Sequence, residues 1–408
     1  MDSRDDAREL ALHFDLARAG PEFIGNPYPV LAALREHDPV HPMPGGGVLL
    51  TRYEDVLTVY RDARASSDKK AEFLPKFGRS PLYEHHTSSL VFSDPPLHTR
   101  VRRLIMGALN QRAIARMEAE VEHLVDGLLE QLAARREFDF IEAYAAQIPV
   151  EVIGNLLAVP RAERGPLRAW SLAILSGLEP APSAAVLEAG NRAVSEFIDY
   201  LRDLVAGRRR NPGDAETDVL TRLIVGEQDG GRLSEAELLH NCIFMLNAGH
   251  ETTTNMLGNG LWLLLSHPQA LAQLREDPGR VPGAIEEILR YEGPIQLNNR
   301  RLSAPMTLGG RPLAAGTSIT ISIGGANRDP AQFPDAERFD VARRPNRHLA
   351  FGQGEHACAG MNVARMEGRV ALGRLLARFP GIEPAGTPQR DMRVRFRGFR
   401  SLPVRLAA

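Results

Sequence analysis

Residues 351–360 read FGQGEHACAG and set Cys358, one of two cysteines in 408 residues, among Gly352, Gly354 and Gly360. Glycine reaches backbone angles closed to other residues and lets another group approach the chain closely. Such a stretch can wrap under something flat while aiming one sulfur at it. A cysteine thiolate is one way proteins hold haem iron. Taken alone, the same letters also describe a glycine-rich surface turn.

A second stretch, AGHETTTN at 248–255, breaks the rules of the apolar helix around it. Glycine, an acid and three threonines are poor mid-helix choices. Thr252 can return its hydroxyl to the carbonyl of Ala248 and bend the helix. Gly249 removes a side chain that would fill the opened groove, and burial of Glu251 would raise its pKa. The expected product is a groove beside a chain of proton donors. A helix kinked only for packing would look alike.

Two charged groupings complete the set. In EEILR, Glu287 and Arg290 stand three apart on one helix face, with Arg338 further on as a candidate third member. In DPPLHTRVRRL, His98 and Arg102 share a face at a spacing of four, and Arg300 and His356 lie later in the chain. Arginine grips carboxylates in two-pronged fashion, so these four are candidate carboxylate partners. Singly, each is also an ordinary solvated charge.

Positioning these residues is a task for helices. Residues 113–134 place Ile114, Met117, Val121, Leu124, Leu128 and Leu132 on one face. A similar pattern over 192–210 ends in RRR, and NPGDAETD at 211–218 is a polar turn. Ser234 and Glu237 have capping-box spacing and open an apolar helix of about 30 residues, long enough to cross the whole molecule. Strand-like pieces are short: VLLT at 48–51, RRLS at 300–303, MTL at 306–308 and TSITISI at 317–323. The expected fold is mainly α with a small β-rich part, after a polar N-terminal segment over 1–20 and without a later domain break.

Composition narrows the function. Lys plus Arg number 49 against 51 Asp plus Glu, a balance that argues against nucleic acid as the main partner. The longest apolar runs, such as LWLLL at 261–265, are far shorter than the ~20 residues of a membrane span. The acidic start MDSRDDAREL predicts no signal peptide. With only Cys242 and Cys358, no disulfide framework is expected and a reducing cytoplasm fits.

Together these motifs give the chain a resemblance to the bacterial cytochrome P450 family, the haem-thiolate monooxygenases. The cysteine loop matches the family pattern FGxGxHxCxG at every fixed position. A-G-x-E-T at 248–252, E-x-x-R at 287–290 and H-x-x-x-R at 98–102 occur in the family's order. The likeness runs from about residue 20 to the C-terminus and implies one mostly helical domain, 21–408, enclosing one haem b. By resemblance, Cys358 is the axial thiolate, and Ala248, Phe351, Gly352 and Gly360 count among the haem contacts. His98, Arg102, Arg300 and His356 are implied to pair the haem propionates. Glu287, Arg290 and Arg338 make the family's structural triad, while Thr252 and Glu251 deliver protons to dioxygen.

The resemblance also implies a substrate pocket drawing on Leu90, Val91, Met245, Ile295, Gln296 and Leu297, a lipophilic lining for a small organic molecule. The amides of Gln296, Asn298 and Asn299 either satisfy local backbone or meet a polar handle. Tyr83, His85 and His86 either add polarity to the pocket or face solvent. As the sequence stops at Ala408 without a fused reductase, electrons are expected from a separate ferredoxin and its reductase, docking near Arg103, Arg112, Arg347 and Arg365. The rival readings are a peroxide-driven haem-thiolate peroxygenase and a non-catalytic haem sensor or carrier. The acid–threonine pair at 251–252 favours dioxygen chemistry over the first, since peroxygenase relatives typically lack it.

Overall fold

The longest helix runs Glu235–Ser266, 32 residues and about 48 Å at 1.5 Å per residue. The structure, a computed structural model, describes residues 3–109, 111–215, 218–225 and 233–406. The helix begins with the expected capping box. The Ser234 hydroxyl accepts from the Glu237 N–H at 3.2 Å, and the Glu237 carboxylate accepts from the Ser234 N–H at 2.8 Å. Two donors that a helix start leaves open are thereby satisfied. Most of its side chains are buried on every side, as an apolar helix through a core requires.

Helices Gln147–Leu156, Leu167–Ser176, Ala184–Arg210, Val281–Tyr291 and Met361–Arg378 pack against it. Ala184–Arg210 starts eight residues earlier than its periodicity predicts. The Ser183 hydroxyl caps it by accepting from the Val186 N–H. In helix Gln111–Ala133 the buried stripe is Met117, Val121, Val125, Leu129 and Leu132. Leu124, Leu128 and Ile114 sit half-buried at its margin. The stripe advances by fours as far as Leu129 and so drifts one position from the expected face before Leu132 returns to it.

The β part is a five-stranded sheet, in the order Val40–Pro42, Val48–Leu50, Ser318–Ser322, Leu297–Leu302 and Ala65–Ser66. In it Arg300 pairs in register with Ile319. Smaller sheets include the expected Met306–Leu308 strand, paired with Arg311–Leu313, and a C-terminal group ending in Pro403–Leu406. The fold is mainly α with small sheets.

The polar segment expected over 1–20 is not set apart. It forms helix Ser3–Leu12, and Ala11 and Leu16 are buried in a cluster with Tyr28, Leu31, Leu34, Leu49 and Leu297. A charged knot joins distant parts of the chain nearby. Buried Glu292 accepts from the Tyr28 hydroxyl at 2.9 Å and from Arg397 at 2.5 Å, and pairs with Arg390 at 2.8 Å. Arg397 also donates to the carbonyls of Ile24 and Gly25. Burial pushes the Glu292 carboxyl up, but Arg397, Arg390 and Arg328 together outweigh it and hold the group below its usual range.

Candidate active site

Cys358 lies between a 3₁₀ turn, Gly354–His356, and helix Met361–Arg378. Its N–H donates to the Phe351 carbonyl at 2.8 Å, which closes the loop. Gly352 and Gly354 take φ of +64° and +71°, where a side chain is strained, and a Cβ on Gly354 would also collide with the Tyr60 carbonyl. Burial pushes the Cys358 thiol up. Opposing it are a Gly360 N–H bond and the charges of Arg102 and Arg365. Those groups, with the start of a helix, favour a thiolate. Arg365 stacks 4.8 Å from the Phe351 ring centre.

The four expected carboxylate partners do gather here. The His98 and His356 rings lie 3.9 Å apart. Arg102 donates to the Ala357 carbonyl at 2.7 Å, next to Cys358. Arg300 is buried, donates to the Asn299 carbonyl at 2.9 Å and lies 5.5 Å from the Tyr60 ring centre. Both His98 ring nitrogens are buried without a hydrogen-bond partner among the described residues. Burial brings His356 down to about 3, and Arg300, His98 and Arg102 add to the effect. His98 is lowered chiefly by burial, then by Arg102, and Arg300 is lowered by burial. Among the described residues neither Arg102 nor Arg300 forms an ion pair with a carboxylate. The cluster therefore repels itself and suits an anion.

The long helix opens at its middle. Ala248 is exposed, and Phe244 and Thr252, four residues to either side, are half-buried between turns that are buried. A stripe left uncovered between buried turns implies a slot beside the helix. The Thr252 hydroxyl donates to the Ala248 carbonyl at 2.6 Å, as its spacing predicts. Gly249 differs from expectation: a Cβ there would meet Ile153, so it admits helix Gln147–Leu156 and does not widen the groove. Glu251 differs too. Its carboxylate is buried but meets the Arg393 guanidinium, which also binds Asp391 at 2.6 Å. No motif marks Arg393, which enters from a loop 142 residues away in sequence. On the next position, Thr253 donates at 3.2 Å to Glu367, a carboxyl that burial pushes up to about 8.

The triad forms with one change of member. Glu287 and Arg290 are paired at 2.7 Å with both side chains fully buried. Arg338 is not the third residue: its side chain is 67% exposed and turns to Asp340, and only its backbone carbonyl accepts from Arg290. Arg343 takes the place, 3.3 Å from Glu287 and nearly buried, and Asn346 adds a bond at 3.0 Å. Arg338 follows a turn in which Asp335 takes φ +50°.

Comparison with known proteins decides what this arrangement belongs to. The cytochrome P450 family profile matches residues 183–399. Cytochrome P450 107B1 of Saccharopolyspora erythraea is 39% identical over 375 residues, covering 88% of this chain and 89% of that protein. The chain belongs to the cytochrome P450 family. The 6-deoxyerythronolide B hydroxylase of the same organism is 37% identical, covering 93% and 96%. P450BioI, solved in complex with a fatty-acyl carrier protein, superposes with a TM-score of 0.90 at 31% identity, covering 95% of this chain and all of that one.

This P450 is a monooxygenase and, like its family, uses haem. Its residues fit such a group. A free cysteine sits in a tight loop, the long helix opens at Ala248, and a cationic cluster without a carboxylate partner among the described residues flanks the loop. A Cβ on Gly360 would meet no protein atom within 4 Å, leaving room beside the sulfur. Of the expected pocket residues, Leu90 and Met245 are buried in the main core, Val91 is half-buried, and Ile295 touches both the helical and the sheet-side clusters. Gln296 and Leu297 leave the set. The Gln296 amide donates to the Gly293 carbonyl and lies against Gly324, and Leu297 packs into the N-terminal cluster. Gln296 precedes the strand Leu297–Leu302, and its amide is taken by local backbone. Asn298 and Asn299 are engaged too, with Tyr60 and with Thr320 and Arg395.

Proposed function

We propose that this P450 holds haem b through the Cys358 thiolate in a single domain that includes the N-terminal helix. It inserts one atom of dioxygen into a lipophilic small molecule in the cytoplasm, with electrons from a separate ferredoxin and its reductase. The observation that carries the reading is the cationic and imidazole cluster of His98, Arg102, Arg300 and His356 around the Cys358 loop. When bound, the haem supplies dioxygen activation, with two electrons and two protons leading to one oxygen atom in the product and one in water. The chain's own residues do the rest.

Arg102, Arg300, His98 and His356 hold the two propionates, whose charge relieves their mutual repulsion. Phe351, under Arg365, shields the sulfur from water. Thr252 donates its hydroxyl hydrogen bond to the Ala248 carbonyl and keeps its lone pairs free to hold a water at the slot. Glu251 moves protons inward when its carboxylate leaves Arg393, and that ion pair keeps the route shut otherwise. Met245, Leu90, Val91 and Ile295 supply apolar surface for the substrate. Relatives named as a 6-deoxyerythronolide B hydroxylase and a vitamin D(3) 25-hydroxylase support a hydroxylation of this kind. No helix among the described residues is long and apolar enough to cross a membrane.

The test is the reduced, carbon monoxide-bound spectrum. The wild type should show the red-shifted Soret band of thiolate ligation, and Cys358→His should move it to the position of histidine-ligated haem. Cys242→Ser should leave it unchanged, since Cys242 is fully buried in the core and burial raises its thiol to about 12. A thiolate band surviving in Cys358→His would refute the assignment.

A further inference from the structure

Two cations without a part in the reading above meet beside the haem cluster. Lys76 lies in helix Lys70–Phe77, and Arg395 lies in the loop before strand Phe399–Ser401. Lys76 Nζ donates to the Glu179 carbonyl at 2.6 Å and Arg395 Nε to the Leu178 carbonyl at 3.1 Å, so both sit on consecutive peptides. His85 and His86, expected as polar lining or as solvent-facing, are instead buried. Burial brings His86 to about 3, and Lys76 and Arg395 add to the effect. A neutral ring leaves the charge of the two cations unanswered.

Their bonding is incomplete in one direction. Among the described residues neither Lys76 nor Arg395 forms an ion pair with a carboxylate. Arg395 donates once more at 3.2 Å to the Leu297 carbonyl and once at 2.5 Å to Asn299 Oδ1. A guanidinium has five N–H groups, so one remains on each terminal nitrogen. A carboxylate takes two such groups from an arginine fork. Lys76 has two N–H groups left after Glu179. The nearby acids do not balance the charge. Glu72 pairs with the buried Lys69 at 2.7 Å. Glu179 uses Oε2 on the backbone N–H groups of Val394 and Arg395, and one carboxylate answers only one of two cations. Burial lowers Lys76 to about 8, with Arg395 adding to it. Buried charge is stable when paired, and the surplus here is one positive charge. A single carboxylate answers it, whereas a hydroxyl or an ester does not.

The position has access. Burial is the chief influence on Arg395, yet the residue keeps accessible surface, a combination shared with Cys358. Surface kept at that depth faces an internal space. Asn299 accepts from Arg395 through its side chain and from Arg300 of the haem cluster through its carbonyl. Two residues before Arg395, Arg393 grips Glu251 beside Thr252. Arg395 is thereby tied to both halves of the oxidation centre. Lys76, half-buried next to exposed Leu74 and Pro75, lies between that space and the surface.

We propose that Lys76 and Arg395 anchor a substrate carboxylate, so that this P450 acts on lipophilic acids at a carbon away from the acid group. The proposal rests on reading Cys358 and Thr252 as the oxidation centre.

The test titrates the haem-loaded full chain with matched probes on two skeletons. These are dodecanoate, methyl dodecanoate, dodecan-1-ol and dodecyl phosphate, and cholanate with its methyl ester. Dissociation constants come from calorimetry and from the haem absorbance shift. On at least one skeleton the carboxylate should bind about tenfold tighter than its ester. Lys76→Met and Arg395→Met should each abolish that preference while ester affinity changes less than about threefold. Should Arg395→Met fail to take up haem, Lys76→Met carries the test. Equal affinities of acid and ester on both skeletons would overturn the proposal. So would tighter binding of dodecanol or dodecyl phosphate than of dodecanoate, an acid preference surviving either substitution, or no binding by any probe. The carbon monoxide spectrum of the same samples separates the causes. A thiolate band without acid preference refutes this anchor alone, and a missing band in the wild type refutes the underlying assignment.

Discussion

Thr252 makes its one donated hydrogen bond to Ala248, so what it offers the slot is an acceptor beside the proton route of Glu251 and Arg393. Thr252→Ala should leave haem and substrate binding intact, keep consuming reduced cofactor, and divert electrons to hydrogen peroxide. Product and peroxide measured per reduced cofactor check this, and tightly coupled turnover would place the role elsewhere. Glu251→Gln should slow the whole cycle by ~10²–10⁴-fold, the usual contribution of a positioned proton donor. Thr254→Ala is the better internal control, since Thr254 only returns its hydroxyl to His250. Thr253→Ala also removes the one side-chain hydrogen bond that Glu367 makes among the described residues. That carboxyl predicts a pH effect. Its pKa is raised to about 8 in the fold against 4.5 ordinarily, so the folded state keeps a proton the unfolded chain releases. Stability from this group is full below about 4.5 and is lost as pH rises toward about 8. Glu367→Gln should therefore raise the melting temperature more at pH 8 than at pH 5, and equal shifts would contradict it. The Thr252 bond could be read from its spacing. The partner of Glu251 could not, because a contact between positions 251 and 393 has no local signature.

The same limit appears among the elements. Glu287 and Arg290 share a helical turn and were readable as a pair, whereas Arg338 and Arg343 follow an irregular stretch whose path the sequence does not display. Arg343→Ala should cost about 3–5 kcal/mol, the usual loss when one partner leaves a buried ion pair, and should reduce haem uptake. Arg338→Ala should stay within about 0.5 kcal/mol, as exposed sites do. Chemical denaturation of both variants decides between them, and the reverse order would restore Arg338. The long helix was legible from its cap and its uninterrupted apolar run. The Ala65–Ser66 and Gln389–Arg390 strands are two residues each and carry no period to detect. The expected turn at 211–218 lies partly outside the described residues.

Over the whole molecule, net charge is near zero and any partner must be steered by local charge. Arg103, Arg112 and Arg347 are exposed, but Arg365 is held by Glu286 through two bonds of 2.8 Å. Arg112→Glu should slow reduction by a ferredoxin, less so at high salt, without changing substrate affinity. Stopped-flow reduction across an ionic-strength series checks this, and a rate insensitive to Arg103, Arg112 and Arg347 alike would locate docking elsewhere. The Glu292 knot has a consequence in time. It ties Ile24, Gly25 and Tyr28 to Arg390 and Arg397, so segments made early on the ribosome wait for segments made near the end of this sequence. Until Arg397 emerges, Glu292 has lost its nearest cation and its burial is opposed. Contacts so far apart slow folding, and the nascent chain stays open to chaperones until translation has passed that arginine.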